Sequence, residues 1–131
     1  LRFDFSYPEK MTPAQIASVE KLVNEAIGKG LDVAFEEISL SEARASGATG
    51  VFNSKYGDRV KVYTIGHNNG GRHASWEDIF SREICGGPHV SSLKNLGHFK
   101  IQKEEASSSG VRRIKAILEW SDRMPVTIDN F

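Results

Sequence analysis

Residues 12–28 read TPAQIASVEKLVNEAIG, and this stretch decides the fold class. Thr12 followed by Pro13 is an N-cap and first-turn pair. The threonine oxygen can accept from an unpaired amide of the first turn, and proline has no amide there to leave unpaired. Ile16, Val19, Leu22, Val23, Ala26 and Ile27 then recur at helical spacing until Gly28 and Gly30. The result is an amphipathic helix of about four turns, whose apolar stripe needs a surface to cover.

The flanking segments supply that surface. Upstream, Leu1, Phe3 and Phe5 alternate with Arg2 and Asp4, the pattern of a strand with one buried face. Downstream, Leu31, Val33 and Phe35 alternate and lead to Ile38, after which Ser41 can cap a short helix that breaks at Gly47. Tyr56-Gly57-Asp58 turns the chain into Val60, Val62, Tyr63 and Ile65, and His67-Asn68-Asn69-Gly70-Gly71 reads as the start of a long polar hairpin loop. From Trp76 to Ile84 the chain is apolar again. Cys85-Gly86-Gly87-Pro88-His89 then forbids regular structure. Two further strands, Phe99 to Lys103 and Val111 to Leu118, flank the turn at Ser107-Ser108-Ser109-Gly110. The expectation is an α+β fold: an antiparallel sheet packed by one long helix, Thr12 to Ile27, and one short helix. It is read as one domain over residues 1–120, with residues 121–131 as a tail of no clear period.

Bulk properties bound what such a domain does. At 131 residues, with 39% hydrophobic and 26% charged side chains, the chain can bury a modest core. Seventeen basic groups balance seventeen acidic ones, so any nucleic-acid contact must be local rather than the work of a global positive field. The single cysteine excludes an internal disulfide framework and fits a reducing compartment, the cytoplasm. No apolar run approaches the roughly 20 residues that a membrane helix needs, and the N-terminus lacks the layout of a signal peptide. No initiating methionine is present, so the chain reads as a piece of something longer.

Cys85 and His89 are the sharpest chemical signal. A thiolate and an imidazole four positions apart across a tight turn can converge on one zinc ion. Two other readings stand beside this one: a small buried hydrophobe next to a turn, and a cysteine nucleophile with a histidine base. A metal site wants three protein ligands for catalysis or four for structure, and the other histidines are His67, His73 and His98. Arg112, Arg113 and Lys115 are the densest basic run, either a grip for phosphates or the wet side of a strand. Gly47-Ala48-Thr49-Gly50 either lets backbone approach a ligand or forms a tight helix-to-strand connection.

Six segments resemble one family together and in order: Leu1 to Ser6, Val23-Asn24-Glu25, Ser41-Glu42-Ala43, Tyr56-Gly57-Asp58, Glu83 to Val90, and Gly110 to Ile114. Over residues 1 to 118 the chain is similar to the editing domain of alanyl-tRNA synthetases, the second additional domain they share with threonyl-tRNA synthetases and with free-standing editing proteins. The resemblance implies a zinc-dependent hydrolase that removes serine or glycine wrongly attached to tRNA(Ala). It also implies, as alternatives, a free-standing or threonyl-type deacylase, or a non-catalytic tRNA-binding fragment. In the family, zinc is held by a His-x-x-x-His pair and a Cys-x-x-x-His pair. Cys85 and His89 fall on the second, and the first has no counterpart here, which implies a chain that begins inside the domain and is weak or inactive alone. The resemblance further suggests Thr49 as a substrate-pocket residue and Arg112 and Arg113 as tRNA contacts. It makes tRNA(Ala) and the remainder of the synthetase chain the partners, with no membrane. Pro88 resembles the threonyl version, whereas Val111 to Ile114 stays on the alanyl side, and residues 67–80 read as an insertion. No ATP site is visible.

Overall fold

A computed structural model describes residues 1–50, 55–67, 78–120 and 126–127. The chain divides into two compact units, Leu1–Lys29 with the segment from Lys94 onward, and Gly30–Leu93. The α+β expectation holds, with a difference: the single expected sheet is two antiparallel sheets, one with the long helix and one with the short helix.

The first unit holds β1 (Arg2–Ser6), α1 (Pro13–Gly28), β5 (His98–Ser108), β6 (Val111–Glu119) and β7 (Val126–Thr127). β5 and β6 form a hairpin closed by Gly110, whose φ of 70° lies in the left-handed region open to glycine. β1 pairs along residues 111–115 of β6, and β7 pairs with Ile117 and Leu118. The helix begins as its sequence dictates: the Thr12 oxygen accepts from the Gln15 amide, and the Gln15 side chain accepts from the Thr12 amide. Its apolar stripe, Ile16, Val19, Val23 and Ile27, packs on Phe99, Ile101, Ile114, Ala116 and Leu118. Leu22 is the exception to the stripe and is 55% exposed. Polar side chains of α1 also cover the open edge of β5. Asn24 both donates to the Phe99 carbonyl at 2.9 Å and accepts from its amide at 2.7 Å, and Glu20 accepts from the Ile101 amide at 2.7 Å. A strand edge left bare would be a template for foreign strands.

The second unit holds β2 (Asp32–Ser39), α2 (Leu40–Ala45), β3 (Arg59–Gly66) and β4 (Ile79–Ile84), with strand order β2-β3-β4. Ile38, Val60, Val62 and Ile84 face Ala43 of α2, and Leu40, Ala48 and Tyr56 close this core. Two sequence expectations are corrected here. The cap of α2 is Ser39, whose oxygen accepts from the Glu42 amide at 3.2 Å, not Ser41. The capping-box spacing Ser39-x-x-Glu42 already favours it. Phe35 does not continue a buried stripe but is 56% exposed, as is Phe3 of β1. Most of the 67–80 stretch, including His73, lies outside the described residues, as does residue 121–131 apart from the short β7.

Candidate functional site

The alternation of β3 sets one face of the second unit's sheet apart. Val60, Val62 and Thr64 point into the core, so Lys61, Tyr63 and Ile65 occupy the opposite face. Cross-strand register brings Glu37 beside Lys61, Phe35 beside Tyr63, and Glu83 of β4 on the other side of Tyr63. Cys85 continues this ladder: its amide donates to the Lys61 carbonyl at 3.1 Å, one step past the core residue Ile84. The cysteine, free and half-buried, is thereby held on the same face as Lys61 and Tyr63.

Beyond Cys85 the glycines and Pro88 release the chain from the ladder, and the segment leads from the end of β4 to the start of β2. There the Ser91 carbonyl accepts from the Val33 amide at 3.0 Å, and the Leu93 amide donates to Leu31 at 2.9 Å. On the way His89 lies against the middle strand, its ring stacked on Tyr63 with centroids 3.7 Å apart and planes 20° apart. His89 Nδ1 lies 2.9 Å from the Gly87 carbonyl oxygen. Since a carbonyl only accepts, Nδ1 carries the proton and donates, and in the neutral ring Nε2 keeps its lone pair. This is the arrangement by which a backbone carbonyl orients a metal-binding imidazole.

Cys85 also lines a hollow of about 360 Å³ together with Glu37, Lys55, Tyr56, Arg59 and Lys61. Arg59 is held there by donating to the Glu37 carbonyl at 2.8 Å. The hollow therefore combines a soft sulfur donor with three cations and one carboxylate, a setting suited to an anionic ligand.

The other sequence candidates are placed as follows. Thr49 docks by its backbone on β4, donating to Arg82 and accepting from Ile84, both at 2.9 Å, and its side chain is exposed. Both glycines beside it have local causes: Gly47 leaves α2 at φ 80°, and a Cβ on Gly50 would lie 2.8 Å from the Tyr56 hydroxyl. Arg112 and Arg113 belong to the first unit. Arg112 is paired with Glu104, and Arg113 donates to both oxygens of Asp4 at 2.7 and 3.0 Å. Lys115 lies 3.2 Å from Glu105. Each cation of the basic run thus faces a carboxylate of its own unit. The Arg113 hydrogen bond holds the Asp4 carboxyl below its ordinary range, and Lys103 and Lys115 do the same for Glu105. His67 and His98 are exposed. Among the described residues no three His, Cys, Asp or Glu side chains gather as a metal cluster, and no helix is long and apolar enough to cross a membrane. Phe35, Tyr63 and Lys61 escaped sequence reasoning. The signal was present in β3, where Lys61 and Tyr63 alternate with Val60 and Val62 and so must share the open face.

Residues 60–115 match the family described as the threonyl and alanyl tRNA synthetase second additional domain. An alanine–tRNA ligase of Treponema denticola is 53% identical over 119 residues, covering 91% of this chain and 18% of that protein. The corresponding ligase of Borreliella burgdorferi is 52% identical over 118 residues, 90% of this chain and 18% of its own length. That of Jannaschia sp. is 43% identical over 117 residues, 89% of this chain and 13% of the relative. The chain thus spans less than a fifth of the length of these relatives. Residues 60–115 carry the match to the threonyl and alanyl tRNA synthetase second additional domain, and about nine-tenths of the chain is similar to a segment of alanine–tRNA ligases.

Proposed function

We propose that this module edits alanine tRNA: it hydrolyses the ester of serine or glycine wrongly attached to tRNA(Ala), with Cys85 and His89 as two of the ligands of a zinc ion. The observation that carries the reading is the oriented imidazole. His89 gives Nδ1–H to Gly87 and keeps Nε2 for a further partner, while Cys85, four residues away, opens into a hollow rich in cations. The similarity to alanine–tRNA ligases favours the alanyl over the threonyl substrate.

The need for such a site is physical. A pocket sized for alanine cannot strongly reject glycine, which is smaller, or serine, which adds only a hydroxyl, so a second site must remove what the first admits. Zinc, when bound, supplies Lewis-acid polarisation of a water or of the ester. The chain's own part is to hold the ligands and orient the substrate. Tyr63 fixes the His89 ring by stacking, and Lys55, Arg59 and Lys61 attract the phosphates next to the ester. Two ligands fall short of the three that a catalytic zinc needs. The remaining pair comes from the family's His-x-x-x-His segment, and without it the module is a poor deacylase.

The test compares initial hydrolysis rates on serine-charged and alanine-charged tRNA(Ala). A longer protein that includes the histidine pair discharges the serine-charged tRNA selectively and retains one zinc, and Cys85→Ala in it loses both. Full activity of Cys85→Ala, or full activity of residues 1–131 with no zinc, refutes the reading.

A further inference from the structure

Ligation by Cys85 and His89 leaves the rest of the open face unexplained. Phe35 is 56% exposed although it stands at a central register position of a sheet. Its ring leans on Tyr63, with centroids 5.3 Å apart and planes tilted by 34°, and Tyr63 stacks in turn on His89. The Lys61 ammonium lies 5.3 Å from the Phe35 centroid. Three rings in sequence across one sheet face, with one flank left to solvent, form a platform on which a planar ligand can continue the stack.

The cations say which planar ligand. Lys61 is shared between the platform and the hollow at Cys85, and Lys55 and Arg59 line that hollow with Glu37 as its only carboxylate among the described residues. Among the described residues, Glu83, beside Tyr63 on β4, is the one other acid that the register brings against the rings. A protein of zero formal net charge has here a local excess of positive charge next to exposed aromatic surface. Aromatic side chains on a sheet with adjoining basic groups are how unpaired bases and their phosphates are bound without a duplex. A simple apolar partner would leave the cations without counter-charge.

We propose that Phe35, Tyr63 and His89 form a stacking shelf for an unpaired base of single-stranded RNA, with Lys61 and Arg59 meeting the flanking phosphates. The proposal deepens the editing reading and rests on it for the identity of the strand: an RNA end that stacks on Phe35 brings its terminal ester toward Cys85. His89 belongs to both the shelf and the ligand pair, so the test uses Phe35 and Lys61, which are not ligands, and the shelf and the zinc reading then fail separately.

Binding of a 5′-labelled single-stranded hexaribonucleotide to the full 131-residue chain, followed by fluorescence anisotropy, is the experiment, with a blunt RNA duplex of equal length as control. Phe35→Ala weakens single-strand binding about tenfold, the scale of one base–aromatic stack, whereas Phe35→Trp binds at least as well as the parent. Lys61→Ala lowers the slope of log affinity against log salt by about 0.7, as expected for one phosphate contact. Urea midpoints of the Phe35 variants stay at the parent value, since the ring is exposed, and this separates binding from folding. Unchanged affinity of Phe35→Ala, or equal binding of duplex and single strand, overturns the shelf. Loss of RNA binding in Phe35→Ala with deacylation intact in Cys85→Ala of the longer protein would instead sustain the shelf and refute the zinc-dependent reading.

Discussion

Arg112 is the residue for which sequence and structure point to different work, and Arg112→Met decides between them. The guanidinium side chain is 16% exposed and its partner, the Glu104 carboxylate, only 2%. Removing one member of a buried pair strands the other charge, at a cost of about 3–5 kcal/mol. Glu104 keeps one donor, the Met11 amide at 3.1 Å, so the lower end, about 3 kcal/mol, applies. With a urea dependence of about 2 kcal/mol per molar, the unfolding midpoint falls by about 1.5 M. A double-mutant cycle with Glu104→Gln, which keeps an acceptor for Met11, isolates the coupling, expected above about 1 kcal/mol. A midpoint within about 0.3 M of the parent, with a matching loss of tRNA affinity, would refute the reasoning and return Arg112 to the RNA surface.

Asn24→Ala removes both hydrogen bonds to Phe99 and lowers stability by about 2 kcal/mol, with faster amide exchange at Phe99 as the local readout. Unchanged exchange there would mean that another group caps the β5 edge. A methyl group on Gly97 would collide with the Glu119 carbonyl oxygen, so Gly97→Ala forces the β5–β6 ends apart and costs about 2–3 kcal/mol in a thermal melt. Asp4 and Glu105 have folded-state pKa values lowered by Arg113 and by Lys103 with Lys115, respectively. Their contribution is therefore complete above the ordinary carboxylate range and is lost as the pH falls from about 5 through the lowered values. A shallower stability slope in that acid window for the Asp4→Asn, Glu105→Gln double variant checks this, and an identical slope counts against it.

The residues that were legible are those whose energetics close within a few positions. Thr12, Pro13 and Gln15 specify the start of α1 because cap and capped amide lie within one turn. Gly110 specifies the β5–β6 turn because only its own backbone must bend. Cys85-Gly86-Gly87-Pro88-His89 was legible as a break in regular structure because its glycines and proline forbid a strand or a helix there. The alternation of β3 likewise defined its two faces, whatever else packs on them.

Tertiary structure alone decided which faces meet. β1 and β6 pair across a separation of 109 residues at Asp4 and Arg113, and nothing local distinguishes that partner from β2 or β3. The single sheet expected from the strand count is two because Phe99, Ile101, Ile114, Ala116 and Leu118 bury against α1, whereas Ile38, Val60, Val62 and Ile84 bury against α2. Period-two patterns report that a face is apolar, not which other face removes it from water. For the same reason Phe35 read as one more alternating apolar residue and stands exposed beside Tyr63. Arg112 and Arg113, read as a grip for phosphates or the wet side of a strand, lie against Glu104 and Asp4, because ion pairing depends on which strand arrives alongside, a long-range outcome that no residue's immediate neighbours encode.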